Sequence, residues 1–277
     1  MKESLKTKSV AVILPVYKND KPEYAISAID SVLNQTLSNV HLYIGVDGPI
    51  GGNLEEVLAA YSKLPNVKIC RYLENRGLAC VLNDLLAEAF RDGAEYIARM
   101  DADDISMPDR FEKQVKFLQT HPEVDVVGGA IEEIDERSNV TGKIIKYPHT
   151  HAECRRFFRY RDPFAHPAVM FYKTFFLKVR GYRNEYRKNQ DTMLWYDALC
   201  ARCQFANLDC VILQFRVTPD FYKTRRGGLM RAKQMLKDRM MINKDLQYDM
   251  SANLFALAMF FMTIMPTFVR KFLYQIR

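Results

Sequence analysis

Apolar runs of strand length alternate with helix-length amphipathic segments along the first 120 residues of the 277-residue chain. The short runs are rich in β-branched residues, whereas the apolar residues of the longer segments recur at helical spacing. This alternation predicts a Rossmann-like α/β fold with a mostly parallel central sheet and helices on both of its faces. The predicted strands are 10–17, 40–46, 67–73 and 95–100, and the predicted helices are 22–35, 54–64, 78–90 and 109–119.

The pattern changes after His121, where strands and helices no longer alternate regularly. We therefore predict one domain over residues 1–220, with a first half of about 8–120 and a second half of about 121–220. Residues 221–277 form a separate C-terminal tail in this division. In the second half the predicted strands are 124–135, 143–148, 167–172 and 210–217, and the predicted helices are 151–158 and 191–201.

The net charge of +7 is concentrated at the C-terminal end of the chain. From Asp220 onward there are 11 Lys or Arg and 4 Asp or Glu, whereas the preceding residues hold 29 of each class. The most apolar stretch of the chain, residues 252–269, lies within this basic region. A basic segment around an apolar one favours an anionic membrane surface as the partner and argues against nucleic acid.

The tail is predicted to form a basic amphipathic helix over 229–246 and an apolar helix over 252–269. The apolar segment is at the lower limit of length for a membrane span, and Asn253 and Pro266 weaken it further. Three arrangements remain open, namely a span, shallow insertion into one face of a bilayer, and packing against protein. Basic residues on both flanks favour shallow insertion.

Six cysteines are spread along the chain without the regular spacing of a disulfide scaffold. The N-terminal sequence MKESLKTKSVAV has no long apolar core of a secretory signal, so we expect reduced thiols and a cytosolic setting. Cys200 and Cys203 have the spacing of half a zinc knuckle. No second pair with ligand spacing follows, so buried helix cysteines are the favoured interpretation.

Three carboxylates stand directly behind a predicted strand, in the segment 98-ARMDADDISMPDRFEKQ-114. One interpretation is structural: acidic residues favour a helix N-terminus, and Ser106 with Asp109 fits a capping box. The functional interpretation is a site for Mg²⁺ or Mn²⁺ with a phosphate-bearing substrate, because these ions prefer oxygen ligands. Strand-like alternation would turn Asp101 and Asp103 to the same side, with Asp104 shaping the loop.

Other polar residues are predicted at the same edge of the sheet as this carboxylate cluster. Asp47 and Asn75 also follow predicted strands, as Asp101 does. Ligands of open parallel sheets bind beyond the carboxyl ends of the strands, where these side chains would meet. The sequence therefore predicts a ligand site at this edge.

Five sequence blocks stand out along the chain, namely VILPVYKND (12–20), VDGP (46–49), ENRGLACVLND (74–84), ARMDADDISMPDRFEKQ (98–114) and QDTMLWYDAL (190–199). In this order they resemble those of family 2 glycosyltransferases with the GT-A fold. With 163-PFAHPAVMF-171 and 225-RRGG-228, the resemblance narrows to bacterial enzymes that assemble O-antigen, capsule or exopolysaccharide. It covers about residues 8–220, whose first half would bind a nucleotide and whose second half an acceptor.

The resemblance implies transfer of a sugar from a nucleotide-sugar, a UDP-sugar in particular, to a hydroxyl of a lipid-linked glycan. It also implies Mn²⁺ or Mg²⁺ as cofactor, a single inverting displacement, and a location on the cytoplasmic face of a bacterial inner membrane. Assembly as a homo-oligomer is left open. The implied roles are general base for Asp191, metal binding for Asp103 and ribose binding for Asp101, with Ala102 between them in the donor-binding block. Pro15, Val16 and Tyr17 would border the base and ribose, and Asp47 would accept a hydrogen bond from the nucleobase.

Other residues of these blocks have two interpretations each. Arg76 is either a contact to the base or diphosphate or a solvated arginine. His166 lies either beside the acceptor or diphosphate or in the core. Arg225 and Arg226 either close over the diphosphate or face a membrane.

The chain departs from the family pattern at two positions. Val46 precedes Asp47, and Gln190 precedes Asp191, where the family often has a second acidic residue. The first departure loosens the expectation of which base is recognised, and the second leaves open which group neighbours the catalytic base.

Two other functions are compatible with parts of the sequence. A catalytically silent subunit that binds nucleotide-sugar or membrane is disfavoured by the presence of Asp101, Asp103 and Asp191. A sugar nucleotidyltransferase is disfavoured because VILPVYKND lacks the glycine-rich basic loop that such an enzyme needs after its first strand.

Overall fold

The computed structural model describes residues 9–218 and 229–264, which form a mixed, mostly parallel sheet flanked by helices. The strands are β1 (Val10–Val16), β2 (Val40–Val46), β3 (Val67–Arg71), β4 (Tyr96–Arg99), β5 (Ile105–Ser106), β6 (Val126–Ile134), β7 (Val140–Ile145), β8 (Met170–Tyr172) and β9 (Phe205–Arg216). The helices are α1 (Pro22–Leu33), α2 (Gly52–Tyr61), α3 (Leu78–Arg91), α4 (Arg110–Thr120), α5 (His151–Phe157), α6 (Thr174–Lys178), α7 (Gln190–Cys200), α8 (Leu229–Asp245) and α9 (Met250–Ile264).

The first four long strands are parallel, as the alternating pattern predicted. Their order in the sheet is β3-β2-β1-β4, so β1 lies at the centre, and Val16 is in register with Val46. The first residues after β1 and β2, Tyr17 and Asp47, therefore lie side by side. The polar loops that follow these strands meet at one edge of the sheet.

The second half of the chain extends the same sheet with strands of both directions. β8 is antiparallel to β4 and β6, whereas the long strand β9 is parallel to β6. The end of β9 also pairs with the two-residue strand β5. Residues up to Arg216 are thereby brought against the loop that carries Asp101.

Alternating residues of β1 are buried on opposite faces of the sheet. Val12 and Leu14 pack in the cluster that contains residues of α1, α2 and α4, whereas Ala11 and Ile13 pack in the cluster with α3 and α7. The predicted arrangement of helices on both faces is therefore confirmed.

The boundaries differ from the predictions at several elements of the second half. The strand predicted from residue 210 begins at Phe205, and the segment 167–172 is a 3₁₀ turn followed by the short strand β8. The capping box predicted for α4 is wrong. Ser106 lies in β5, where its N–H donates to Ser31 Oγ (2.9 Å), and Asp109 makes no side-chain cap bond.

The two C-terminal helices, α8 and α9, pack against each other as a hairpin, which we call the C-terminal hairpin. Within residues 9–218 and 229–264, no helix combines the length and apolar character needed to cross a membrane. Ala252 and Ala256 of α9 are buried. The opposite side of α9 carries exposed apolar side chains at helical spacing, which are Met250, Leu254, Leu257, Phe261 and Ile264.

Candidate active site

The carboxylates behind β4 form a compact cluster. One ligand oxygen from each of Asp101, Asp103 and Asp104 lies within 4.8 Å of the others. It is the one group of three or more potential metal ligands found among the described residues. Asp104, which was predicted only to shape the loop, therefore belongs to the cluster.

Asp104 is the most buried member of the cluster. Its Oδ1 accepts a hydrogen bond from the backbone N–H of Arg216 (2.9 Å), and its buried Oδ2 has no partner among the described residues. Burial, together with the negative charges of Asp103 and Asp101, raises the pKa of Asp104 well above its usual range. A cation near this carboxylate would relieve the repulsion within the cluster.

Arg216 holds the cluster from β9. Its buried guanidinium donates from Nε to the carbonyl of Asp103 (2.8 Å) and from Nη1 to the carbonyl of Asp135 (2.8 Å). The same group lies 4.1 Å from the ring centroid of Tyr24. The side chain therefore ties the Asp101–Asp104 loop to β9, to the end of β6 and to α1.

Arg99, the last residue of β4, is a buried cation at the centre of the site. Its guanidinium forms an ion pair with Asp101. Its charge also acts on the pKa values of Asp20, His166 and Asp191, so all three groups lie within its electrostatic reach.

Asp20 follows β1 and faces the carboxylate cluster. Its Oδ2 accepts a hydrogen bond from the N–H of Tyr17 (2.9 Å). Burial, with the charges of Asp103 and Asp101 adding to it, raises the pKa of Asp20 to about 8. Asp20 was not singled out from the sequence, although it lies inside the first motif block.

Asp47 organises the loop between β3 and α3. Its carboxylate accepts hydrogen bonds from Asn75 Nδ2 (2.8 Å), Arg76 N (2.7 Å) and Gly77 N (3.0 Å). Gly48 follows with a φ of +85°, and a Cβ there would lie 2.7 Å from the backbone nitrogen of Asn75. This close approach explains the Asp-Gly pair. The nucleobase contact predicted for Asp47 stays a prediction.

The other residues that were predicted to contact the nucleotide-sugar lie around this loop. Val16 accepts the N–H of Asp47 (2.8 Å), Pro15 is partly buried, and Tyr17 is exposed beside them. The Arg76 side chain forms a half-exposed ion pair with Asp84 (2.6 Å) and lies over the ring of Tyr72.

Asp191 lies in the first turn of α7, partly buried. Its Oδ1 accepts the N–H of Thr192 (2.9 Å). Burial, and next the negative charge of Asp162, raise the pKa of Asp191 to about 6. A carboxylate with this pKa is suited to accept a proton near neutral pH.

His166 is buried, and the charge of Arg99 acts on its ring. Its Nε2 is 2.8 Å from the hydroxyl of Tyr182, and its ring packs edge-on against Trp195. Burial, and next the charge of Arg99, lower the pKa of His166 well below its usual range, so the ring is neutral. Burial and the charges of Asp191 and Asp101 raise the pKa of Tyr182, so the hydrogen-bonded His166 and Tyr182 lie within electrostatic reach of both carboxylates.

The structure thus gathers the residues that follow β1, β2, β3 and β4 with those at the start of α7. Arg225 and Arg226 lie outside the described residues. Sequence reasoning missed Asp20, Asp162, Tyr182 and Arg216, and of these only Asp20 lies in a block that could have drawn attention to it.

Comparison with known proteins identifies the family. The model of glycosyl transferase family 2 matches residues 11–181, which is more than half of the chain. The chain belongs to glycosyl transferase family 2. The resemblance drawn from the five sequence blocks is confirmed.

Relatives of this family 2 chain match it over nearly their whole length. The amylovoran biosynthesis glycosyltransferase AmsE of Erwinia amylovora is 28% identical, over 96% of this chain and 97% of its own. The UDP-Gal:alpha-D-GlcNAc-diphosphoundecaprenol beta-1,3-galactosyltransferase of Escherichia coli is also 28% identical, over 97% of this chain and 96% of its own.

Solved structures of glycosyltransferases share the fold of this family 2 chain. The mannosyltransferase PcManGT from Pyrobaculum calidifontis, in complex with GDP-Man and Mn²⁺, matches with a TM-score of 0.62 and 16% identity, over 90% of this chain and 73% of its own. Staphylococcus aureus TarS matches with a TM-score of 0.61 and 17% identity, over 86% of this chain. The chain spans 43% of the length of TarS. These matches confirm the GT-A-like α/β fold.

Proposed function

We propose that this family 2 chain transfers a sugar from a nucleotide-sugar, in particular a UDP-sugar, to a hydroxyl of a lipid-linked glycan with inversion at the anomeric carbon. The observation that carries the proposal is the arrangement of two carboxylate groups around Arg99. Arg99 forms an ion pair with Asp101 of the cluster, and its charge also acts on the pKa of Asp191, the second carboxylate group.

The cluster fits a divalent cation by its donor set. Carboxylate oxygens are the ligands that Mn²⁺ and Mg²⁺ prefer, and the buried, unpartnered Oδ2 of Asp104 is a ready acceptor. Asp103 would hold the ion and Asp101 a ribose hydroxyl, with Asp104 behind them. When bound, the ion would neutralise the charge that develops on the departing nucleoside diphosphate.

The loops after β1, β2 and β3 would bind the nucleoside. Tyr17, with Pro15 and Val16 behind it, offers an exposed aromatic ring next to Asp47. The Asp47 carboxylate fixes the loop that contains Asn75 and Arg76 by accepting four hydrogen bonds from it, at 2.7–3.4 Å. A preformed loop lowers the entropic cost of binding, because less of it is ordered when the ligand arrives.

Asp191 would act as the general base. Its carboxylate removes the proton of the acceptor hydroxyl while that oxygen forms a bond to the anomeric carbon of the donor. The bond from this carbon to the diphosphate breaks at the same time, and the nucleoside diphosphate leaves with the electron pair. One displacement inverts the configuration, and the proton remains on Asp191.

The names of two relatives support the substrate class. One is a galactosyltransferase that uses UDP-Gal and a diphosphoundecaprenol-linked sugar, and the other serves amylovoran biosynthesis. A lipid-linked acceptor requires a position at a membrane. We propose that the exposed apolar side of α9 lies against the cytoplasmic face of the bacterial inner membrane, with Leu254 and Phe261 at its centre.

A thermal-shift panel of nucleoside diphosphates and nucleotide-sugars, each with and without Mn²⁺, tests the donor site. A ligand at a hundred times its dissociation constant stabilises the fold by about 2.7 kcal/mol, so a UDP-sugar with Mn²⁺ should clearly raise the midpoint temperature of unfolding. Asp103→Asn should abolish the part of this increase that depends on Mn²⁺. Asp109→Asn, which removes a nearby exposed carboxylate paired with Lys113, should preserve it. Absence of a Mn²⁺-dependent shift with every nucleotide would contradict the proposal.

A further inference from the structure

Thr192 connects Asp191 to a second carboxylate. The N–H of Thr192 donates to Asp191, and its hydroxyl donates to Asp162 Oδ2 (2.8 Å). Asp162 belongs to the segment that follows α5, about thirty residues away in the chain. Gln190 precedes Asp191 in this chain. The acidic neighbour of Asp191 is therefore Asp162, which comes from another part of the fold.

Arg239 of α8 holds Asp162 from the opposite side. Its Nη2 lies 3.2 Å from Asp162 Oδ1, and its Nη1 donates to the carbonyl of Phe158 (2.9 Å). The guanidinium also lies 4.9 Å from the ring centroid of Phe158. The Asp162 and Arg239 side chains are only 26% and 19% exposed, so their interaction is partly shielded from water.

The rest of α8 is fastened to the same region. Its buried Asp238 accepts a hydrogen bond from the hydroxyl of Tyr186 (3.0 Å), just before α7. At the other end of α8, Asp245 accepts one from the hydroxyl of Tyr196 within α7 (2.7 Å). Docking of the C-terminal hairpin therefore fixes the position of Arg239 relative to the start of α7.

We propose that Asp162 and Arg239 are positioning residues for the base, through which the docked C-terminal hairpin orients Asp191 and controls its proton uptake. This inference rests on the proposed role of Asp191 as general base. Neither residue touches the reacting atoms; both act through Thr192 and through their charges.

The charges around Asp191 determine the sign of the effect. Asp191 faces Asp162 from the segment after α5, Arg99 from β4 and Tyr182 from the segment before α7. The negative charge of Asp162 disfavours ionisation of Asp191, whereas Arg99 favours it, and Arg239 offsets part of the charge of Asp162. Loss of the Asp162 charge should therefore lower the pKa of Asp191, and loss of Arg239 should raise it.

The test is a carboxyl-carbon NMR titration of the full chain, in which Asp191→Asn assigns the Asp191 resonance. Asp162→Asn keeps an oxygen for Thr192 to donate to, and it should shift the Asp191 titration to lower pH by about half to one unit. Arg239→Met should shift it to higher pH, and Arg239→Lys, which keeps the charge, should restore most of the wild-type curve.

Arg159→Met is the matched control. Arg159 also pairs with the hairpin, through Asp249 (2.7 Å), but it has no bond to Asp162. It should leave the titration unchanged. If Asp162→Asn folds and its Asp191 titrates at the same pH as in the wild type, the inference is overturned.

Turnover separates the inference from the proposed function. With UDP-galactose, Mn²⁺ and a synthetic GlcNAc-diphospho-lipid as probes, the acidic limb of kcat/KM should move in the same direction as the titration in each variant. The rate should increase with pH through the pKa of Asp191 and level off above it, because the base must be ionised. Full turnover by Asp191→Asn would refute the role of the base, while the NMR result would still decide whether Asp162 and Arg239 control its proton uptake.

Discussion

At the scale of single residues, the site depends on polar side chains that are buried and have several partners. Asp47 and Arg216 are both almost fully buried, and each contacts segments that are far apart in the sequence. The cost of losing such a group is large, because several partly buried donors or acceptors lose their partner at once. Exposed charged residues in the same loops contribute much less.

Asp47→Ala should destabilise the protein and loosen the loop before α3. The change leaves Asn75 Nδ2 and the N–H groups of Arg76 and Gly77 without their acceptor, so we expect a loss of about 2–3 kcal/mol in the free energy of unfolding. Asp84→Ala is the matched control, because it removes an ion pair with Arg76 and a hydrogen bond with Tyr72 at the surface and should cost less than about 1 kcal/mol. Urea denaturation measures both. Equal losses would contradict the organising role of Asp47.

Arg216→Met should weaken metal binding without removing a carboxylate. The guanidinium donates to the backbone carbonyl of Asp103, whereas the bond to Asp104 comes from the backbone N–H and is kept by methionine. Loss of an outer partner of a metal ligand typically costs ten- to a hundredfold in metal affinity. We expect at least a tenfold increase in the Mn²⁺ concentration that gives half of the nucleotide-induced thermal shift. Arg71→Met, which removes only a surface ion pair with Glu55, should have no effect. An unchanged Mn²⁺ dependence in Arg216→Met would show that the loop keeps its shape without this contact.

At the scale of elements, the sequence pattern was sufficient wherever an element was long and had one buried face. The strands β1 to β4 and the helices α1 to α4 lie within a few residues of their predicted bounds. Two residues cannot display a period, so β5 was missed. The early start of β9 was missed because its pairing with β6 shifts register between Gly129 and Ile131, which interrupts the alternation along the strand.

The exposed apolar side of α9 is predicted to bind membranes. Leu254 and Phe261 are 61% and 54% exposed, and transfer of each side chain out of water is worth about 1.5–3 kcal/mol. Leu254→Ser with Phe261→Ser should therefore weaken sedimentation with phosphatidylglycerol-rich vesicles at least about tenfold, while UDP-induced stabilisation is unchanged. The control is Leu177→Ser, an 81% exposed leucine on α6. Equal vesicle binding by the double variant would exclude this side of α9 as the membrane contact.

At the scale of the whole molecule, the site is assembled from segments that the sequence keeps apart. The carboxyl ends of parallel strands had to meet, so the proximity of Tyr17, Asp47 and Asp101 could be predicted. The contributions of Asp162, Arg216 and Arg239 could not, because each depends on how the second half and the hairpin pack against the first. No local pattern encodes such long-range contacts.

In the mechanism that we propose, the cluster after β4 binds the metal-nucleotide and Asp191 takes the proton. The most direct test is release of nucleoside diphosphate from a UDP-sugar by Asp191→Asn, with UDP and Mn²⁺ binding measured by calorimetry on the same samples. General base catalysis is worth about 10²–10⁴ in rate. We predict a loss of that size in turnover, with the affinity for UDP unchanged. Turnover equal to that of the wild type would contradict this mechanism.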